Sequence, residues 1–111
     1  EKKVMEVLGL VGLDRRMRYF PTQLSAGELQ RIAIARAIVA GPAVLLADEP
    51  TGNLDPTTSW EILKILKEIN KMGTTILMDT HNSDIVNSMR KRVITMKKGK
   101  IAGDEKEGKY K

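Results

Sequence analysis

The sequence predicts an α/β fold in which parallel strands are flanked by helices. Two apolar runs, residues 43–47 and 74–78, have the length of buried strands, and each run is followed by polar side chains. Between them, residues 55–72 carry apolar side chains at helical spacing, so the three segments predict a strand–helix–strand unit. Because the first run is continuously apolar, we expect its strand, residues 43–48, to be buried on both faces.

The composition is typical of one small domain and excludes several classes of site. The 111 residues are 41% hydrophobic, contain no cysteine and include no apolar run near 18 residues, so we expect no disulfide, thiolate metal site or membrane-spanning helix. Residues 90–111 carry nine basic and three acidic side chains, which indicates either a solvated tail or attraction to anionic lipid or nucleic acid. Aromatic side chains make up only 4% and offer no stacking platform for bases, so we predict no nucleic-acid partner.

Residues 1–40 are predicted to be mainly helical. A first helix is expected over residues 2–11 and a second, short one over residues 13–18, with Asp14 as its N-cap. A third helix should begin at Ser25, because Ser25 and Glu28 have the spacing of a capping box. Its predicted buried side chains are Leu29, Ile32, Ala33, Ala37 and Ile38, with Ile34, Ala35 and Val39 beside them.

The start of this third helix is a candidate anion site. The small residues Ala26 and Gly27 would let a ligand approach the backbone, and the amides and dipole of a helix N-terminus favour negative charge. The alternative is a helix that is merely well capped.

Two adjacent carboxylates, Asp48 and Glu49, follow the first predicted strand, and His81 follows the second. Ligand sites in parallel sheets lie at the carboxyl ends of strands, so these three side chains should emerge at one edge. Adjacent acids there are costly unless a cation or a proton uses them. The alternatives are a solvated acidic turn and a histidine with no more than a structural role. Asp55 is the expected N-cap of the next helix.

The remaining residues predict a short helix and a hairpin. The helix should span residues 83–89, with Asn82 or Ser83 as its cap, and the hairpin should pair residues 93–96 with residues 101–102. Residues 104–111 are charged and are expected to be held loosely.

Taken together, these segments resemble the C-terminal half of an ABC-type ATPase domain. Residues 24–28 are similar to the family signature LSGGQ, with Ala26 and Glu28 as departures, and residues 44–49 are similar to the Walker B strand and the glutamate after it. Residues 52–55 resemble the D-loop, and His81 the switch histidine. The resemblance covers nearly all of the chain.

This resemblance implies a partial P-loop NTPase fold. Residues 1–40 would form part of the helical subdomain with the signature, residues 41–103 the C-terminal part of the catalytic α/β core, and residues 104–111 a flexible charged tail. The phosphate-binding motif G-x-x-x-x-G-K-[ST] does not occur in the sequence. We therefore expect half of a nucleotide-binding domain, without activity of its own.

The resemblance also implies the cofactors ATP and Mg²⁺ and a role for each site residue. Asp48 would hold Mg²⁺, Glu49 would act as general base, and His81 would contact the γ-phosphate. The residues expected at the nucleotide, most of them across a head-to-tail homodimer, are Ser25, Ala26, Gly27, Glu28 and Asp55.

Within the family the chain resembles most the FtsE-like cell-division ATPases, through residues 48–56 and 80–87. That resemblance implies an ATPase subunit at the cytoplasmic face of the cell membrane, partnered by a second ATPase subunit and by an FtsX-like or permease subunit. The alternatives are the ATPase of a lipoprotein-release or macrolide exporter, and a non-catalytic half-domain that acts as an interaction module. A soluble DNA-repair-type ATPase is a more distant third.

Overall fold

The computed structural model describes residues 2–13 and 25–110 of the chain, without the side chains of Lys2 and Val4. Apart from Leu13, the predicted second helix lies outside the described residues. The other predicted helices and strands are all present. In chain order they are α1 Lys2–Leu10, α2 Ala26–Ile38, β1 Val44–Asp48, α3 Pro56–Lys71, β2 Thr75–Asp79, α4 Ser83–Met89, β3 Val93–Lys97 and β4 Lys100–Glu105.

The chain divides by its internal contacts into two compact units, Glu1–Asp79 and Thr80–Lys111. The first unit contains α1, α2 and α3 with the strands β1 and β2, and the second contains α4 with the strands β3 and β4. In the first unit α2 packs on both α1 and α3. The predicted subdomain boundaries after residues 40 and 103 stay predictions.

The strands β1 and β2 pair in parallel, so the strand–helix–strand unit is confirmed. Burial of β1 on both faces was a wrong prediction. Leu45 is 7% exposed, whereas Leu46, on the other face, is 71% exposed, and Leu77 beside it in register is 60% exposed. Among the described residues this sheet has only two strands, and one of its faces has no layer against it.

Helix α3 supplies more of the buried hydrophobic side chains of the first unit than any other element. Asp55 caps it, Pro56 is its first residue, and its apolar side chains recur on one face. Burying one such aliphatic side chain contributes about 1.5–3 kcal/mol. The predicted buried residues of this face are confirmed as Ile62, Leu63, Leu66 and Ile69.

Helix α2 buries a face that overlaps only in part with the one predicted: Ile38 is buried as expected, and Ile34 and Ala35, which were expected beside the buried face, are in it. Leu29 is 43% exposed, and Ala33 and Ala37 are also exposed. The sequence could not select the face, because apolar residues occur on nearly every side of this helix. The residues that α2 buries are Gly27, Ile34, Ala35 and Ile38.

The second unit is built around an antiparallel hairpin. Lys98 and Gly99 form its turn with φ values of 50° and 76°, the left-handed pair that two-residue hairpins use. Strand β4 is longer than predicted and runs to Glu105, which lies inside the segment assigned to the loose tail. Beyond it the Gly108 amide donates to the Lys91 carbonyl at 3.1 Å, so part of that segment is held.

None of the helices in the described ranges is both long and apolar enough to cross a membrane.

Candidate functional site

Asp48 and Glu49 lie at the carboxyl end of the parallel sheet, as predicted. Asp48 is the last residue of β1, in register with Asp79, the last residue of β2. The Glu49 amide donates to the Asp79 carbonyl at 2.8 Å, so the backbone of Glu49 is tied to the neighbouring strand. Asp48 is exposed and Glu49 is half-buried. Both carboxylates therefore occupy the edge at which parallel sheets bind ligands.

The backbone at Glu49 is strained. Its φ is +46°, in the left-handed region that residues with a Cβ rarely adopt, and the proline that follows restricts it further. Such a conformation costs about 1–3 kcal/mol and tends to occur at functional sites. The Gly52 amide donates to the Glu49 carbonyl at 3.0 Å and closes a turn over residues 49–52.

The N-terminus of α2 carries the predicted capping box. The Ser25 hydroxyl accepts from the Glu28 amide at 3.2 Å, and Glu28 Oε1 accepts from the Ser25 amide at 3.1 Å. The Glu28 carboxylate, one of the two departures from the family signature, therefore caps the helix. It also brings negative charge to the helix end that an anion would approach.

Gly27 has a packing role that the sequence did not indicate. A Cβ added at Gly27 would lie 2.5 Å from Cγ2 of Thr58, in the first turn of α3. Gly27 is accordingly buried, while its neighbour Ala26 is exposed. A glycine here allows the N-termini of α2 and α3 to pack closely, in addition to the access for a ligand that we expected.

Asp55 is the N-cap of α3, as predicted. Its Oδ2 accepts from the Thr58 amide at 3.2 Å. Hydrogen bonds from Thr58, first from its side chain and then from its amide, hold the pKa of Asp55 below its usual value. The side chain is exposed and negatively charged near neutral pH.

His81 belongs to the second unit. It lies two residues after the end of β2 and before α4, and its side chain is exposed. Next to it, the Asn82 amide donates to the Thr80 hydroxyl at 3.1 Å, and Asn82 caps α4. The placement of His81 at the edge that carries Asp48 and Glu49 stays a prediction.

Gln30 is a residue of this region that sequence reasoning missed. Its side-chain amide nitrogen donates to the Pro50 carbonyl at 2.7 Å, which joins α2 to the turn that follows Glu49. In the sequence Gln30 is one polar residue between Leu29 and Arg31, with nothing to distinguish it from a solvated side chain. Only the folded arrangement identifies the contact.

The carboxylates at the sheet edge suit Mg²⁺ better than a metal ion that takes most of its ligands from protein side chains. Among residues 2–13 and 25–110, no group of three or more His, Cys, Asp or Glu side chains could hold a metal ion. Mg²⁺ needs only one or two carboxylates, with water and phosphate oxygens as its other ligands. Asp48, beside Asp79 in register, meets that requirement.

A comparison with family models matches residues 2–52 to the ABC transporter family. Residues 2–52 are just under half of the chain, and over them the chain is similar to the ABC-type ATPase domains. The cell division ATP-binding protein FtsE of Streptococcus pneumoniae serotype 2 is 62% identical to it over 99% of this chain and 48% of that protein. The chain thus spans about half the length of the curated relatives it matches.

Solved structures of ABC-type ATP-binding cassettes are also similar to this chain. The protein cbiO1 from Clostridium perfringens, part of the ABC transporter complex cbiONQ, superposes with a TM-score of 0.88 at 38% identity, over 95% of this chain and 42% of that one. The ATP-binding cassette MJ0796, a dimer bound to ADP and phosphate in a post-hydrolysis state, has a TM-score of 0.78 at 36% identity, over 98% of this chain and 47% of that one. The fold is that of a partial ABC ATPase domain, as the sequence predicted.

Proposed function

We propose that this chain is the part of an ATP-hydrolysing subunit that carries the signature helix, the Walker B carboxylates and the switch histidine. Its identity of 62% to a cell division ATP-binding protein favours an FtsE-like role over that of an exporter ATPase. The other half of such a domain would supply the phosphate-binding loop.

The observation that carries the proposal is the turn at the end of β1. Asp48 is exposed there, and Glu49 follows it in a strained backbone conformation that the strand partner and the Gly52 amide both hold. Strain of this kind persists where the surrounding structure fixes it, and it is typical of catalytic groups. A carboxylate beside the Mg²⁺ ligand is suited to polarising the attacking water in phosphoryl transfer.

Each side chain then has one task. Asp48 holds Mg²⁺, which neutralises charge on the phosphates when it is bound. Glu49 accepts a proton from the attacking water at its carboxylate, and His81 donates a hydrogen bond to the γ-phosphate. Asp55 keeps the turn after Glu49 joined to α3 through its cap.

The test is Glu49→Gln in the full-length protein. Removing the general base should lower the rate of phosphate release by about 10²–10⁴-fold while ATP binding is retained. Both are measured on purified protein, by phosphate release and by nucleotide titration. Glu68→Gln is the matched control, because Glu68 is exposed on α3 and pairs with Lys71 of the same helix at 3.5 Å. Phosphate release that is undiminished in Glu49→Gln would contradict the proposal.

We further propose that ATP joins two copies of the subunit head to tail. The exposed residues Ser25 and Ala26 start α2, where the helix dipole favours the γ-phosphate held by the other copy. The related cassette MJ0796 is dimeric. Opening and closing of this dimer would be transmitted to an FtsX-like membrane partner, with the subunit at the cytoplasmic face of the membrane.

Ser25→Arg tests the dimer. In a Glu49→Gln background, which holds ATP unhydrolysed, the parent should elute as a dimer from gel filtration with ATP. Ser25→Arg should stay monomeric, because its side chain fills the phosphate position. Ser88→Arg, at an exposed serine of α4, is the control for added charge and should dimerise. A dimer of unchanged size in Ser25→Arg would exclude this use of α2.

A further inference from the structure

We infer that Gln30 is a positioning residue for Glu49, because it fixes the turn that carries this carboxylate to the signature helix α2. The inference rests on the proposed function to the extent that Glu49 is the general base.

The contact is short and shielded. The Gln30 side-chain amide donates to the Pro50 carbonyl at 2.7 Å, Pro50 is buried, and Gln30 is half-buried. Proline has no N–H, so this carbonyl is the one backbone group through which Pro50 can be held. Within the described residues no backbone amide donates to it. Without Gln30 the carbonyl of this buried residue would lose the donor that the described structure gives it, and native structures seldom leave such groups unpaired.

The turn needs such a restraint because of its conformation. Glu49 has a φ of +46° directly before a proline, and a backbone of this kind persists only where its surroundings over-determine it. Two of its restraints come from the strand β2 and from within the turn itself, through the Glu49 and Gly52 amides. Gln30 adds a restraint from a third direction, from a residue 20 positions earlier in the chain.

The helix that supplies this restraint is also the one whose start is proposed to meet the nucleotide. Gln30 lies on α2, five residues beyond the N-cap Ser25, and between them Gly27 of α2 packs against Thr58 of α3. A helix transmits a displacement along its axis as a rigid element. We therefore expect that contact between Ser25 and a phosphate changes the orientation of Glu49 through Gln30. The same contact would bring the two subunits together.

Two substitutions in the full-length protein separate the hydrogen bond from the packing. Gln30→Met keeps the length of the side chain and removes the donor, whereas Gln30→Lys returns a donor of similar reach. Asn70→Ala is the matched control, since it breaks a bond of the same type, from Asn70 Nδ2 to the Thr74 carbonyl at 2.9 Å, at the far end of α3.

Gln30→Met should lower kcat by about 10–100-fold, the effect of a small misplacement of a catalytic group, and should leave the KM for ATP within about twofold. Gln30→Lys should recover part of the lost kcat, and Asn70→Ala should match the parent. A loss through unfolding would instead appear in both Gln30 variants, together with a raised KM and early thermal denaturation.

Hydrogen exchange followed by mass spectrometry tests whether the hydrogen bond from Gln30 to Pro50 holds the turn, and this test does not depend on ATP turnover. The peptide covering residues 47–55 should exchange faster in Gln30→Met than in the parent or in Asn70→Ala, because the Gly52 and Leu54 amides open more often. Unchanged exchange there, or a kcat equal to that of the parent, would overturn the inference. If the parent itself hydrolyses no ATP, the proposed function fails, while the exchange result still decides whether Gln30 holds the turn.

Discussion

The two units of the chain differ in what holds their backbones. Of the buried hydrophobic side chains in the described residues, all but Ile85 lie in Glu1–Asp79, where α1, α2 and α3 pack together. In Thr80–Lys111 the hairpin of β3 and β4 is held mainly by backbone pairing, and its apolar side chains Ile94, Met96 and Ile101 are more than 40% exposed.

This difference indicates which unit can hold catalytic side chains in fixed positions. Asp48 ends β1, in which Leu45 is buried, and Glu49 follows it in a turn that is tied to a helix of the same core. Packed surroundings restrict side-chain and backbone motion, so groups that need sub-ångström placement belong on such elements. The hairpin unit, with its fewer buried contacts, is expected to open more readily.

Removing one core side chain from each unit should produce the largest difference in the free energy of unfolding between the two units. Leu63 is 1% exposed among other buried residues of α3, and Ile85 is 3% exposed in α4. In the full-length protein Leu63→Ala should lower the free energy of unfolding by about 2–5 kcal/mol, because it leaves a cavity. Ile85→Ala should cost less, since its unit has no other buried hydrophobic residue in the described part. Denaturant titration measures both.

The conservative variant Leu63→Met serves as the control and should cost less than about 1.5 kcal/mol, because it keeps the volume of the side chain. Peptide-resolved hydrogen exchange would show which unit each substitution loosens. An equal or larger loss for Ile85→Ala would mean that the second unit depends on buried packing as much as the first, and the comparison would fail.

The sequence predicted the elements well because their signals are local. The capping residues Ser25 and Asp55 and the two apolar strand runs each act within a few residues. The position of Asp48 and Glu49 at the sheet edge followed from parallel pairing alone. Their proposed chemical roles came from the family resemblance.

What the sequence did not predict depends on contacts between distant residues. The buried face of α2 was predicted only in part, because apolar residues on nearly every side of the helix leave the choice to its neighbours. The packing of Gly27 on Thr58 and the bond from Gln30 to Pro50 each join segments more than 15 residues apart. The strand β4 was predicted too short because residues 103–105 are not apolar and pair through their backbone.

The smallest expected effect concerns the ion pair that crosses the hairpin. Arg92 Nε and Nη2 donate to the two carboxylate oxygens of Asp104 at 2.8 and 2.7 Å. The hydrogen bond from Arg92 holds the pKa of Asp104 below its usual value. A carboxyl group with a lowered pKa stabilises the fold above its unfolded-state pKa, and that contribution disappears as pH falls through the folded-state pKa.

Asp104→Asn should therefore be slightly less stable than the parent at pH 7, and the difference should shrink toward zero as the pH falls below about 4. Both side chains are exposed, so added salt should reduce the same difference. Denaturant titrations of the full-length protein from pH 7 to pH 3 measure it, with Glu107→Gln in the same unit as the control for a lost surface charge. Because a hairpin with little buried apolar surface gains relatively more from such a pair, the loss should appear first in the exchange of the β3 and β4 amides. A difference that stays constant across this pH range would show that the ion pair does not stabilise the hairpin unit.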